Sequence, residues 1–169
     1  MARRGGGHGG HGGNSGLFRD VERWLTARLR HPRYQHRHVG HVNPHAPGGP
    51  RGTGFHHRFG GQNPPGARVR VDPNTGREMI LEHGYHGTYR ARVDVQDAAG
   101  NWHPKRGAST FFPDNWTPQT VDETVNDAFR RRDPHPTDPD KWRGSANGLT
   151  VDGFFDSSGH GWYSAWPVI

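Results

Sequence analysis

"TYRARVDVQDAAGNW", residues 88–102, is the stretch that decides the fold class. Tyr89, Ala91, Val93 and Val95 alternate with Arg90, Arg92 and Asp94. That two-residue period belongs to a strand with one buried face and one wet face. Asp97 to Asn101 then supply turn residues, so the chain reverses and a hairpin closes. Outward towards the N-terminus, residues 67–72 alternate again and Pro73–Gly76 is a turn signal. Outward towards the C-terminus, "TPQTVDETVNDAFRRR" (117–132) opens with Thr117 as a helix cap and Pro118 at the first helical position. Val121, Val125 and Phe129 form one stripe of that helix. "GLTVDGFF" (148–155) and "GWYSAWPVI" (161–169) read as a terminal hairpin turning at Ser157–Gly159. The order of helix, loops, strands, helix and strands predicts an α+β fold with antiparallel sheet.

The first third of the chain is of another kind. Residues 1–16 hold eight glycines and no aromatic group, and nothing there offsets the entropy of ordering. Leu17–Leu29 carries apolar residues at 17, 18, 21, 24, 25 and 29, a helical stripe capped by Asn14 or Ser15 and stopped at His31-Pro32. Residues 31–66 contain six prolines and many glycines, which predicts loops with a short strand at most around 39–42. The expected organisation is a flexible Gly/His-rich tail (1–16), a linker helix (17–32) and one folded domain (33–169).

Charge is also uneven. Residues 1–70 hold 12 arginines against Asp20 and Glu22, whereas residues 71–169 hold 10 Lys/Arg against 14 Asp/Glu. A basic half of this kind attracts polyanions, nucleic acid above all. The absence of cysteine excludes a disulfide framework and a Cys-based zinc site. No apolar run is long enough to span a membrane, and no signal-peptide core follows Met1.

"YQHRHVGHVNPHAPGGPRGTGFHHRFGG" (34–61) packs six histidines into a Gly/Pro-rich segment. A metal site would need carboxylate help, yet no Asp or Glu occurs between Glu22 and Asp72, so no metal and no cofactor is expected. Acid–base chemistry fits better. Cleaving RNA through its own 2′-hydroxyl needs a base, an acid and a cation for the charge developing on phosphate. Imidazoles do the proton work and a lysine holds the charge. Only Lys105 and Lys141 exist, and Lys105 stands four residues before Ser109.

The segment "KRGASTFFPDNWTPQTVDETVNDAFRRR", with "WRGSANGLTVDGFF" and "GWYSAWPVI", resembles the C-terminal half of bacterial EndoU endoribonuclease domains. Those domains form toxin tips of polymorphic and contact-dependent inhibition systems and are related in fold to the coronavirus uridylate-specific endoribonuclease. "QHRHVGHVN" and "GTGFHHR" resemble the family's two histidine motifs, so the likeness runs from about Tyr34 to Ile169. It implies an EndoU-like α+β domain of antiparallel sheets with few helices. It implies His36, heading a His-x-x-x-Gly element, as one catalytic histidine, with His38 the competing choice. The second is His56, with His57 the alternate, and the lysine is Lys105. Ser109, Ser164, Trp166, His57 and Arg58 are the implied substrate contacts. Trp166 stands where the family usually has Tyr, keeping a stacking face and losing a hydroxyl.

The resemblance further implies metal-independent cleavage at uridine to leave a 2′,3′-cyclic phosphate. It implies a secreted or injected toxin that meets RNA, with tRNA a candidate, in a target cell's cytoplasm. A cognate acidic immunity protein is the expected partner. The rival reading, kept open by Trp166, is a non-catalytic RNA-binding or structural module of the same shape.

Overall fold

The computed structural model describes Arg19, Arg23 and residues 30–169. The Gly/His tail and, those two arginines aside, the expected helix over 17–29 lie outside the described residues. Within them the chain forms two helices, α1 (Pro32–His38) and α2 (Pro118–Arg130), and twelve short strands, so the expected α+β class is observed.

Every sheet is antiparallel. β1 (His41–Asn43) and β2 (Arg51–Thr53) make a hairpin in the register His41 to Thr53. β3 (Ala67–Val69), β6 (Val93–Gln96) and β7 (Trp102–Pro104) make a three-stranded sheet, ordered β3-β6-β7. β4 (Ile80–His83), β5 (Tyr89–Ala91) and β8 (Ser109–Phe111) make another, ordered β4-β5-β8. The largest sheet is β12-β11-β10-β9, built from Trp162–Pro167, Leu149–Phe155, Lys141–Ala146 and Asp133–Pro134.

Two cores follow from this layout. Phe55, Ala67, Val69, Tyr89, Ala91, Val93 and Phe111 fill the N-terminal one. Trp142, Val151, Trp162 and Ala165 of the largest sheet pack against Val121, Val125 and Ala128 of α2 in the other. Phe111 and Phe112, both fully buried, divide between the two. Successive residues of an extended chain face opposite ways, so the end of β8 joins the halves. α2 lies so close on β10 that a Cβ at Gly144 would come 2.0 Å from the Ala128 carbonyl oxygen. Thr117 caps α2 as expected, its hydroxyl accepting from Thr120 N–H at 3.1 Å.

Two expectations needed correction. The run 88–97 is not one strand. Tyr89, Ala91, Val93 and Val95 are all buried, but β5 and β6 join different sheets on either side of Arg92. Alternation records which face is buried and is blind to the pairing partner. Residues 32–38 form a helix where a loop was expected. Pro32 occupies its first turn; the fixed φ of proline that stops one helix suits the start of the next.

Candidate active site

The cleft of interest lies between the halves, with a volume of about 600 Å³. It is lined by His36, His56, Lys105, Ser164 and Trp166 from the expected set, joined by His41, Thr53, Thr110 and Tyr163. No Asp or Glu lines it. Among the described residues no cluster of three or more His, Asp or Glu could hold a metal ion.

Backbone bonds bring the two histidine motifs together. Phe55 N–H donates to the His36 carbonyl at 2.8 Å and His56 N–H to the Arg37 carbonyl at 2.6 Å. This approach requires Gly54: at its φ of +74° a Cβ would lie 2.1 Å from the His36 carbonyl oxygen. The imidazoles of His36 and His56 end 6.0 Å apart, centroid to centroid.

Each ring is held by its neighbours. His56 Nδ1–H donates to the Thr110 carbonyl at 2.8 Å, which sets the tautomer of the neutral ring. Trp166 stacks on it with centroids 6.0 Å apart. His36 Nε2 lies 2.8 Å from Ser164 Oγ, and its Nδ1 lies 3.4 Å from His41 Nδ1. Thr53 Oγ donates to the His41 carbonyl at 3.1 Å and lies 3.1 Å from His41 Nε2 and 3.3 Å from Nδ1. With the single hydroxyl proton so used, Thr53 accepts from the nearer nitrogen, Nε2. His41 Nδ1 then accepts from His36 Nδ1–H, and His36 Nε2 is left bare towards the Ser164 hydroxyl.

Lys105 enters through β2, where Gly52 bridges to it. Its ammonium donates to Ser109 Oγ at 2.8 Å and to the Gly54 carbonyl at 3.2 Å. Burial lowers its pKa to about 8. Burial, with the charges of His41, Lys105 and Arg37, holds His36 down to about 3. His56 lies well below the ordinary imidazole value for the same chief reason, with Lys105 and His36 adding to it. The imidazoles of His36 and His56 therefore rest neutral with Lys105 beside them, in a lining that also holds His41 and Arg90.

Three expected contacts fall elsewhere. Ser109 is fully buried behind the lysine, donating to the Gly54 carbonyl at 3.0 Å. His57 is buried against His38 and the Trp116 carbonyl. Arg58 forms a bidentate pair with Glu78 and donates to the Tyr89 hydroxyl. The alternates His38 and His57 thus meet each other, away from the cleft lining. Sequence reasoning singled out no role for His41, although it follows Gly40 of the same motif and pairs with Thr53 across the hairpin. It also missed Tyr163, whose ring stands edge-on to His36 at 6.3 Å. Strict alternation assigns Tyr163 to the face opposite Ser164, but it sits beside a register shift at Phe154–Phe155.

Fold and cleft together define a small α+β protein with a basic, carboxylate-free cleft equipped for acid–base chemistry on an anion. The chain belongs to the bacterial EndoU nuclease family: the family model described as "Bacterial EndoU nuclease" matches residues 32–169. A Bacillus cereus protein named "Toxin" is 38% identical over 73 residues, a match that takes 42% of this chain and 11% of that protein. The chain therefore corresponds to a small part of that relative's length. No solved structure matches.

Proposed function

We propose that residues 33–169 form a metal-independent endoribonuclease domain that cleaves preferentially at uridine and leaves a 2′,3′-cyclic phosphate. The observation that carries this reading is the pair of imidazoles 6.0 Å apart in a cleft with one lysine and no carboxylate in its lining. His36 Nε2 takes the proton of the ribose 2′-hydroxyl, displacing the Ser164 hydroxyl from that nitrogen. The 2′-oxygen bonds to phosphorus, the bond from phosphorus to the 5′-oxygen breaks, and His56, protonated on Nε2, delivers a proton to that oxygen. Lys105 holds the negative charge on the phosphoryl oxygens. The incoming phosphate offsets the lysine's effect and raises the imidazoles' proton affinity, so His56 is charged in the complex. Trp166 offers a stacking face for a base.

The likeness to a stretch of a Bacillus protein named as a toxin supports a role as the toxic part of a larger bacterial protein, delivered to a target cell's cytoplasm. A producer of such an enzyme needs a protein that blocks it, and the arginine-rich first half favours an acidic one.

The test is incubation with end-labelled RNA in EDTA. Cleavage at uridine with a cyclic phosphate product is expected. Binding without cleavage would favour an RNA-binding module instead, and dependence on added metal with a 3′-hydroxyl product would refute the mechanism.

A further inference from the structure

The two histidines left out of the cleft stand directly behind it. His38 is two residues beyond His36 on α1, and His57 adjoins His56. Their rings meet at right angles with Nδ1 atoms 3.2 Å apart. The contact is the middle of a buried row. Arg37 pairs with Asp122 of α2 at 2.5 Å, and Asp122 Oδ1 lies 3.2 Å from His38 Nε2. At the far end His57 Nε2 lies 2.9 Å from the Trp116 carbonyl.

The row has three gaps between polar atoms, and two neutral imidazoles carry two protons between them. Burial holds both rings towards the neutral form, against the pull of Asp122 on His38 and of the Trp116 carbonyl on His57. Asp122 Oδ1, which can only accept and also meets Arg37, claims the His38 proton at Nε2. His38 Nδ1 is then bare, and His57 divides its single proton between that nitrogen and the Trp116 carbonyl. The ring-to-ring bond is thus the joint at which α1, α2 and the turn after Gly54 are tied.

We infer that His38 and His57 are positioning residues, whose mutual hydrogen bond clasps α1 to the 54–57 turn and so sets the spacing of His36 and His56. The inference rests on the acid–base reading of those two rings. A displacement of about 1 Å between reacting groups costs on the order of a hundredfold in rate, whereas Lys105 and the aromatic wall that bind substrate lie outside the row.

The experiment compares His38→Ala, His57→Ala and the double variant on RNA, with thermal melts confirming the fold. Tenfold to hundredfold lower kcat with KM within twofold is expected in each, and the double variant is no worse than the worse single, because one contact is lost. Unchanged kcat in folded variants, or a loss confined to KM, overturns the inference. Two ring-nitrogen NMR measurements stand apart from activity. In the wild type, His57 carries proton density at Nδ1 shared with His38; a His57 protonated only at Nε2 overturns the clasp even where the variants do not fold. In folded His57→Ala the His36 and His56 ring shifts move, and unmoved shifts overturn the positioning role. A wild type that cuts no RNA refutes the proposed function alone, since those spectra still decide the clasp.

Discussion

Replacing Lys105 by methionine is expected to raise stability and abolish cleavage together. The lysine is partly buried, and its pKa falls from 10.5 to about 8 by burial. That drop corresponds to a burial cost of about 3 kcal/mol for the charged form. Methionine removes the cost and fills similar space. It also orphans nothing, because Ser109 Oγ keeps its bond to the Gly54 carbonyl at 3.0 Å. The variant is therefore expected to gain up to ~3 kcal/mol at pH 7, or roughly 10 °C in Tm for a domain of this size. Loss of the only lysine lining the cleft is expected to lower kcat by about 10² to 10³. Linkage adds a signature. A base whose folded pKa is depressed binds fewer protons in the folded state, so wild-type stability rises between pH 8 and 10.5, where the folded lysine has lost its proton and the unfolded one still holds it. The variant lacks that rise, and the two curves converge at high pH. Urea unfolding at pH 7 and pH 10, with cleavage of a uridine-containing oligonucleotide, measures all three effects. A methionine variant that is less stable at pH 7, or that cuts within tenfold of wild type, refutes the reasoning.

Other predictions follow from the same geometry. His36→Ala and His56→Ala each abolish cleavage while circular dichroism stays unchanged; normal cleavage by either means the imidazole pair is misassigned. Gly54→Ala costs at least about 3 kcal/mol, from the 2.1 Å approach to the His36 carbonyl and the left-handed backbone, and a denaturation midpoint close to wild type would contradict the close approach. In the free enzyme kcat/KM gives a bell against pH. Its two limbs report the imidazole that must be neutral and the one that must be charged, and both lie below the ordinary imidazole range because burial depresses His36 and His56; a further fall near pH 8 reports loss of the Lys105 proton. Lys105→Arg removes the fall near pH 8, and a fall that stays there in that variant assigns it elsewhere.

Much of the architecture is legible in the chain because it is local. Thr117-Pro118 opens α2, the stripe Val121, Val125 and Phe129 meets the core, and the 148–169 hairpin turns where glycine and serine cluster. These features follow from backbone sterics and a periodicity that any neighbour would satisfy. That His36, His56 and Lys105 meet in one cleft was also legible, through the resemblance of their motifs to the family's. Which imidazole of each pair faces the cleft was not. His36 and His38 share one short helix and His56 and His57 are adjacent, so local geometry sends the members of each pair to different sides without saying which side is wet. Asp122 decides it from 84 residues away by drawing His38 inward, and the Trp116 carbonyl does the same for His57 across 59 residues. Contacts at such separations depend on how four sheets and α2 close over one another, and that closure is a property of the whole packed chain rather than of any segment.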